Sequence, residues 1–93
     1  MPTTFARAPG VLERWLGPTV RLLRAGTGAV IVLEGAGAMV WAALTRSGAV
    51  DDIVDAMTAV APPDVAPDQA RAIVDDALTA MVSAGLVTET LVP

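Results

Sequence analysis

The sequence has no cysteine, no histidine and no tyrosine in its 93 residues. Each absence removes a class of chemistry. Without cysteine there is no disulfide and no thiolate to act as nucleophile or ligand. Without histidine the chain lacks the commonest general base, and with cysteine also gone it lacks the usual zinc and haem ligands. No metal site and no cofactor are therefore expected. Lysine is missing too, so all six basic residues are arginines. Long hydrophobic runs are also missing, since none reaches the ~18 residues that span a bilayer. The opening "MPTTFARAPG" has no apolar core of the secretion-signal kind. A cytoplasmic protein that is not an enzyme is the expectation.

What is present is apolar and small. The hydrophobic fraction is 54%, well above a disordered composition, and alanine and valine dominate it. The core should consist of small side chains in closely packed elements. A chain of this length makes one small domain and buries somewhat more than ~60% of its unfolded surface, with little left over for a deep catalytic cavity. Charge is distributed unevenly. Arg7, Arg14, Arg21 and Arg24 fall early, while the ten acids begin at Glu34 with the single exception of Glu13, and the net charge is −4. A mildly basic N-terminal element and an acidic helical body follow, and the latter is a poor match for phosphate.

Residues 1–10, with two prolines and small polar residues, read as a flexible arm ahead of a single domain over 11–93. "TVRLLR" (19–24) alternates as a strand, "AGTG" (25–28) is a turn, and "AVIVL" (29–33) is a second strand. Residues 11–15 offer a third. After Glu34 the period becomes helical. Met39, Val40, Ala43 and Leu44 recur at helical spacing, with Ser47-Gly48 as the stop. "VDDIVDAMTAVA" (50–61) is a second helix, with Asp51 and Asp52 at the favourable end of its dipole and an apolar face of Ile53, Val54, Met57 and Val60. The third runs from Pro67 to just before Gly85, with Ala70, Ile73, Val74, Ala77, Leu78, Met81 and Val82 at i, i+3, i+4, i+7 spacing. "LVTETLVP" leaves as an extended tail. The expected class is α+β: a winged helix-turn-helix with a small N-terminal antiparallel three-stranded sheet followed by three helices.

Several chemistries fail on the residues. "VIVLEGAGAMV" (30–40) resembles the start of a dinucleotide-binding unit, but Val40 stands at the third, close-packing position of the glycine fingerprint, and no second strand follows the helix. Asp51/Asp52 and Asp75/Asp76 are adjacent on helices, so the two members of each pair point in different directions. Ser47 and Ser83 have no histidine or lysine to activate them. The third helix sets Gln69 and Arg71 against Asp68, Asp75 and Asp76, which is unfavourable for a DNA backbone. A winged-helix DNA-binding regulator and a purely scaffolding subunit stay as alternatives to peptide recognition. For peptide recognition the apolar, uncharged strand 29–33 is the candidate, since a sheet edge accepts an added strand.

One family resemblance gathers these pieces. In order along the chain stand "VIVL" (30–33), "EGAGA" (34–38), "VW" (40–41), "SG" (47–48), "VDDI" (50–53) and "MVSAGLV" (81–87). This ordered set, over about residues 19–88, resembles the PqqD-like RiPP recognition elements, small domains that bind the leader segment of ribosomally made precursor peptides. The sequence departs from the family's pattern at Glu34, Arg46 and Ile73. The resemblance implies a leader peptide held antiparallel on the third strand, in a groove shared with the third helix. Carried onto this sequence, the strand residues are Ala29, Val30, Ile31, Val32 and Leu33, and the helix residues are Ala70, Arg71, Val74, Asp75 and Leu78. It also implies a partner enzyme (a protease, cyclase or radical enzyme) acting on the held peptide. The open strand edge leaves room for a homodimer.

Overall fold

The structure, a computed structural model, describes residues 3–91. Five strands and three helices follow in the order β1 (Thr3–Arg7), β2 (Val11–Leu16), β3 (Thr19–Arg24), β4 (Val30–Leu33), α1 (Gly35–Ala43), α2 (Val50–Val60), α3 (Pro67–Ser83) and β5 (Val87–Leu91). The class is α+β. The strands form two sheets: an antiparallel β2-β3-β4 meander and a β1-β5 ribbon.

The meander follows from alternation. Val20 and Leu22 of β3 point inward and are fully buried, while Arg21 between them points out. On β4, Ile31 and Leu33 pack against the core, and Val30 and Val32 lie on the outer face. Register agrees, with Val20 opposite Leu33 and Leu22 opposite Ile31. Gly35, at φ +58°, then turns the chain from β4 into α1, a conformation an L side chain rarely adopts.

The core lies where the helices meet the inner face of the meander. Its largest fully buried side chains include Trp41 of α1, Leu22 of β3, Ile53 of α2, Leu78 of α3 and Leu86 just past α3. Helix α3 has the expected ends. Pro67 occupies its first turn, and the Gln69 side-chain oxygen accepts the Ala66 N–H. At the other end the Leu86 N–H donates to the Met81 carbonyl and the Gly85 N–H to that of Val82. That pair of bonds is a Schellman cap, with Gly85 in the left-handed position. Three residues expected on apolar helix faces, Met39, Val60 and Ile73, lie at stripe margins and are instead exposed. No helix among the described residues is long and apolar enough to cross a membrane.

The N-terminal segment departs most from expectation. Residues 3–7 are not an arm but strand β1, paired antiparallel with β5 from Thr3 opposite Leu91 to Arg7 opposite Val87. Met1 and Pro2, the rest of the expected arm's start, lie outside the described residues. The expected tail is thus the second strand of a ribbon. On its other side β1 meets the α1–α2 connection, where the Phe5 N–H donates to the Gly48 carbonyl at 2.8 Å. Gly48 was expected to stop the first helix, yet α1 ends at Ala43. The glycine serves the approach of β1 instead, because a Cβ there would lie 2.0 Å from the Phe5 carbonyl oxygen.

Candidate functional site

Strand β4 is an outer strand, with β3 on one side and no partner on the other among the described residues. The hairpin decides which backbone groups it offers. Arg24 N–H donates to the Ala29 carbonyl, so Arg24 and Ala29 form a hydrogen-bonded pair. In an antiparallel ladder such pairs alternate with non-bonded ones. Ile31 and Leu33 therefore direct their N–H and C=O groups to β3, while Val30 and Val32 direct theirs outward. Of the five strand residues expected at a peptide site, these two carry the available edge. Ala29 precedes the strand, and its carbonyl is already taken.

The helix residues divide differently from expectation. Ala70, Val74 and Leu78 are at most 2% exposed and belong to the core, so they have no surface to offer a peptide. The reason is packing: α3 is contacted by both α1 and α2, and the centre of its apolar stripe fills that interface first. Arg71 and Asp75 are exposed, but they face the other sheet. With Phe5, Val50, Asp51 and Glu89 they line a groove of about 420 Å³ beside the β1–β5 ribbon. Arg71 forms an ion pair with Asp51 of α2, and that hydrogen bond and charge raise its pKa above the ordinary arginine value. The opposite flank of α3 carries Ile73, Ala77 and Ala80, at i, i+4 and i+7. Ile73 is 40% exposed. Its exposure depends on where α1 and α2 leave off, which periodicity alone does not reveal.

A polar cluster missed by sequence reasoning joins β1, β2 and α1. Arg7 donates from Nη1 to Glu13 Oε1 (2.8 Å) and from Nη2 to the Trp41 carbonyl (2.7 Å). Trp41 Nε1–H donates to Glu13 Oε2 (2.7 Å), and the Arg7 guanidinium lies 4.3 Å from the centroid of the indole ring. Partial burial pushes the Glu13 carboxyl up, but hydrogen bonds from Trp41 and Arg7 and the Arg7 charge outweigh it. The group is held below the ordinary glutamate range. The only signal in the sequence was Glu13 itself, the one acid among the early arginines. The cluster clamps β1 and β2 of the two sheets to α1.

An open depression of about 700 Å³ lies between α1 and α2, lined by Met39, Ala43, Met57 and Val60 with Arg46 and Asp52 at its margin. Thr45 and Ser47 also line it, and the Ser47 hydroxyl donates to Asp52 Oδ2 at 2.7 Å. Among the described residues no three metal-ligating side chains come together. Strand β4 offers unpaired backbone N–H and C=O groups along its outer edge.

Residues 20–87 match the family model for coenzyme PQQ synthesis protein D (PqqD). The chain belongs to the PqqD family. The match begins within β3 and ends at the start of β5, so it contains β4 and all three helices. Among solved structures, the PqqD-family chain described here is similar to TbiB1 in complex with the TbiA(beta) leader peptide. The TM-score is 0.80 at 24% identity, over 88% of this chain and 93% of that one. No curated protein matches the chain.

Proposed function

We propose that this PqqD-family chain binds the leader segment of a ribosomally synthesised precursor peptide by strand addition and holds it for a modifying enzyme. The observation that carries this reading is the unpaired edge of β4, with two outward N–H and two outward C=O groups from Val30 and Val32. The similar fold of a chain solved with a leader peptide supports it. The incoming strand pairs with β4, and its side chains on the helix side meet Ile73, Ala77 and Ala80 rather than Arg71 and Asp75. The meander and three helices act as a winged-helix scaffold in which a strand edge is the recognition element. The chain does no chemistry itself. Holding the precursor beside a protease, cyclase or radical enzyme raises its effective concentration, to ~mM for a short tether.

Proline scanning of β4 tests this with a candidate precursor leader peptide as probe. Val32→Pro removes an outward N–H, which an edge strand tolerates. The variant keeps its circular dichroism and loses leader affinity by about tenfold or more, since one lost hydrogen bond contributes ~1 kcal/mol and the ring also obstructs the added strand. Undiminished affinity in folded Val32→Pro overturns strand addition at β4. Amide shifts confined to α1–α2 on leader titration overturn it equally.

A further inference from the structure

The outer face of the meander is covered by nothing among the described residues, and its chemistry is distinctive. Register puts Leu12 opposite Leu23 and Leu23 opposite Val30, forming an apolar row across all three strands. Leu12 and Val30 are each 63% exposed. The next row of the same face runs Arg14, Arg21, Val32, with the two arginines directly opposite one another. Like charges so placed repel across Cβ atoms only ~5 Å apart. Neither arginine has a side-chain ion pair among the described residues. The strand residues of this face include no carboxylate, in a chain whose net charge is −4; Glu34 stands just past β4 at one corner.

We propose that this face docks a modifying enzyme through a surface on which carboxylates are set among apolar side chains. Charge complementarity selects that occupant. A second copy of this chain would bring two arginine pairs against each other. A nucleic acid would require more cations than two and would leave the leucines and valines without a partner. An apolar surface whose strand residues carry arginines and no other charge has the composition of a protein–protein interface core. The position also has functional sense. Val30 and Val32 place their side chains on this face and their backbone groups at the peptide edge, so an enzyme seated here lies beside a peptide added to β4. The inference rests on the leader-binding reading for its partner.

The test measures two affinities with the double variant Arg14→Glu/Arg21→Glu. One is for a candidate precursor leader peptide, and the other is for the purified enzyme that modifies that precursor. Reversal keeps a like-charged pair opposite in the ladder, so the sheet faces no new kind of penalty, and circular dichroism checks the fold. The expected result is enzyme binding weakened by at least about tenfold, a wild-type affinity that falls with salt, and leader affinity within about twofold of wild type. Unchanged enzyme binding by the folded variant overturns the inference, as does a wild-type chain that binds leader but not enzyme. Anionic vesicles and duplex DNA serve as further arms; reversal that abolishes binding to either while sparing the enzyme also overturns it. If leader binding fails in wild type, the peptide reading falls alone, and reversal-sensitive enzyme binding still supports the docking face.

Discussion

Glu13 shows how much one side chain can hold at the surface of a small core. It accepts from Arg7 and from the Trp41 indole, and so links β1, β2 and α1. Its pKa is lower in the folded chain than in the unfolded one. A depressed carboxylate contributes stability above its unfolded pKa, and that contribution disappears as pH falls through the folded value. Thermal melts followed from neutral pH downward should therefore lose stability from about 4.3, the ordinary glutamate value, and below. Glu13→Gln should melt lower at neutral pH and show a shallower decline over that acid range. A parallel decline in both proteins would mean that other carboxylates govern the acid response. Arg7 would not be replaced by lysine without loss, because its fork reaches the carboxylate and the Trp41 carbonyl together while its plane covers the ring.

On the scale of elements, α3 divides its faces between tasks. Its centre line of Ala70, Val74, Leu78 and Met81 is buried, one flank meets the β1–β5 ribbon through Asp75 and Val82, and the other carries Ile73. Two substitutions separate these roles. Leu78→Ala removes a fully buried side chain and should cost ~2–5 kcal/mol in denaturant unfolding, with weaker peptide binding only to the extent that the protein unfolds. Ile73→Asp should leave the unfolding midpoint nearly unchanged and weaken leader binding in the folded protein. Equal leader affinity for Ile73→Asp and wild type would remove that flank from the site. Periodicity revealed the helix and its ends, but three of the helix residues that the resemblance implied for recognition, Ala70, Val74 and Leu78, are buried in the core. A stripe at i, i+4, i+8 marks what is apolar, and the core claims the middle of such a stripe before any ligand does.

Across the whole molecule, the ribbon of β1 and β5 ties the two ends of the chain together. β1 also bonds to Gly48 and delivers Arg7 to Trp41. Removing residues 1–8 should lower the melting temperature by several degrees or more, because it strips β5 of its partner and the cluster of its cation. A truncated chain that melts with the full-length one would mean that this segment behaves as the arm its composition suggested. The prolines and small polar residues of 1–10 gave no sign of a strand, since the pairing partner lies some 80 residues away. An isolated two-stranded ribbon is marginal in water; this one persists because it packs on α3 and the α1–α2 connection.

The sequence by itself determined the features whose causes are local. It determined the β3–β4 hairpin through alternation, α3 through its period between Pro67 and Gly85, and the absence of thiol and imidazole chemistry through composition. The ordered motifs from "VIVL" to "AGLV" were enough to carry the family. Only the tertiary structure decided the rest. It paired β1 with β5, assigned Gly48 to a close approach and buried three of the five expected helix residues. The reason is common to all three: each depends on which distant segments meet. Neighbouring residues fix local conformation, whereas the packing of remote elements decides which side chains remain for a partner to find.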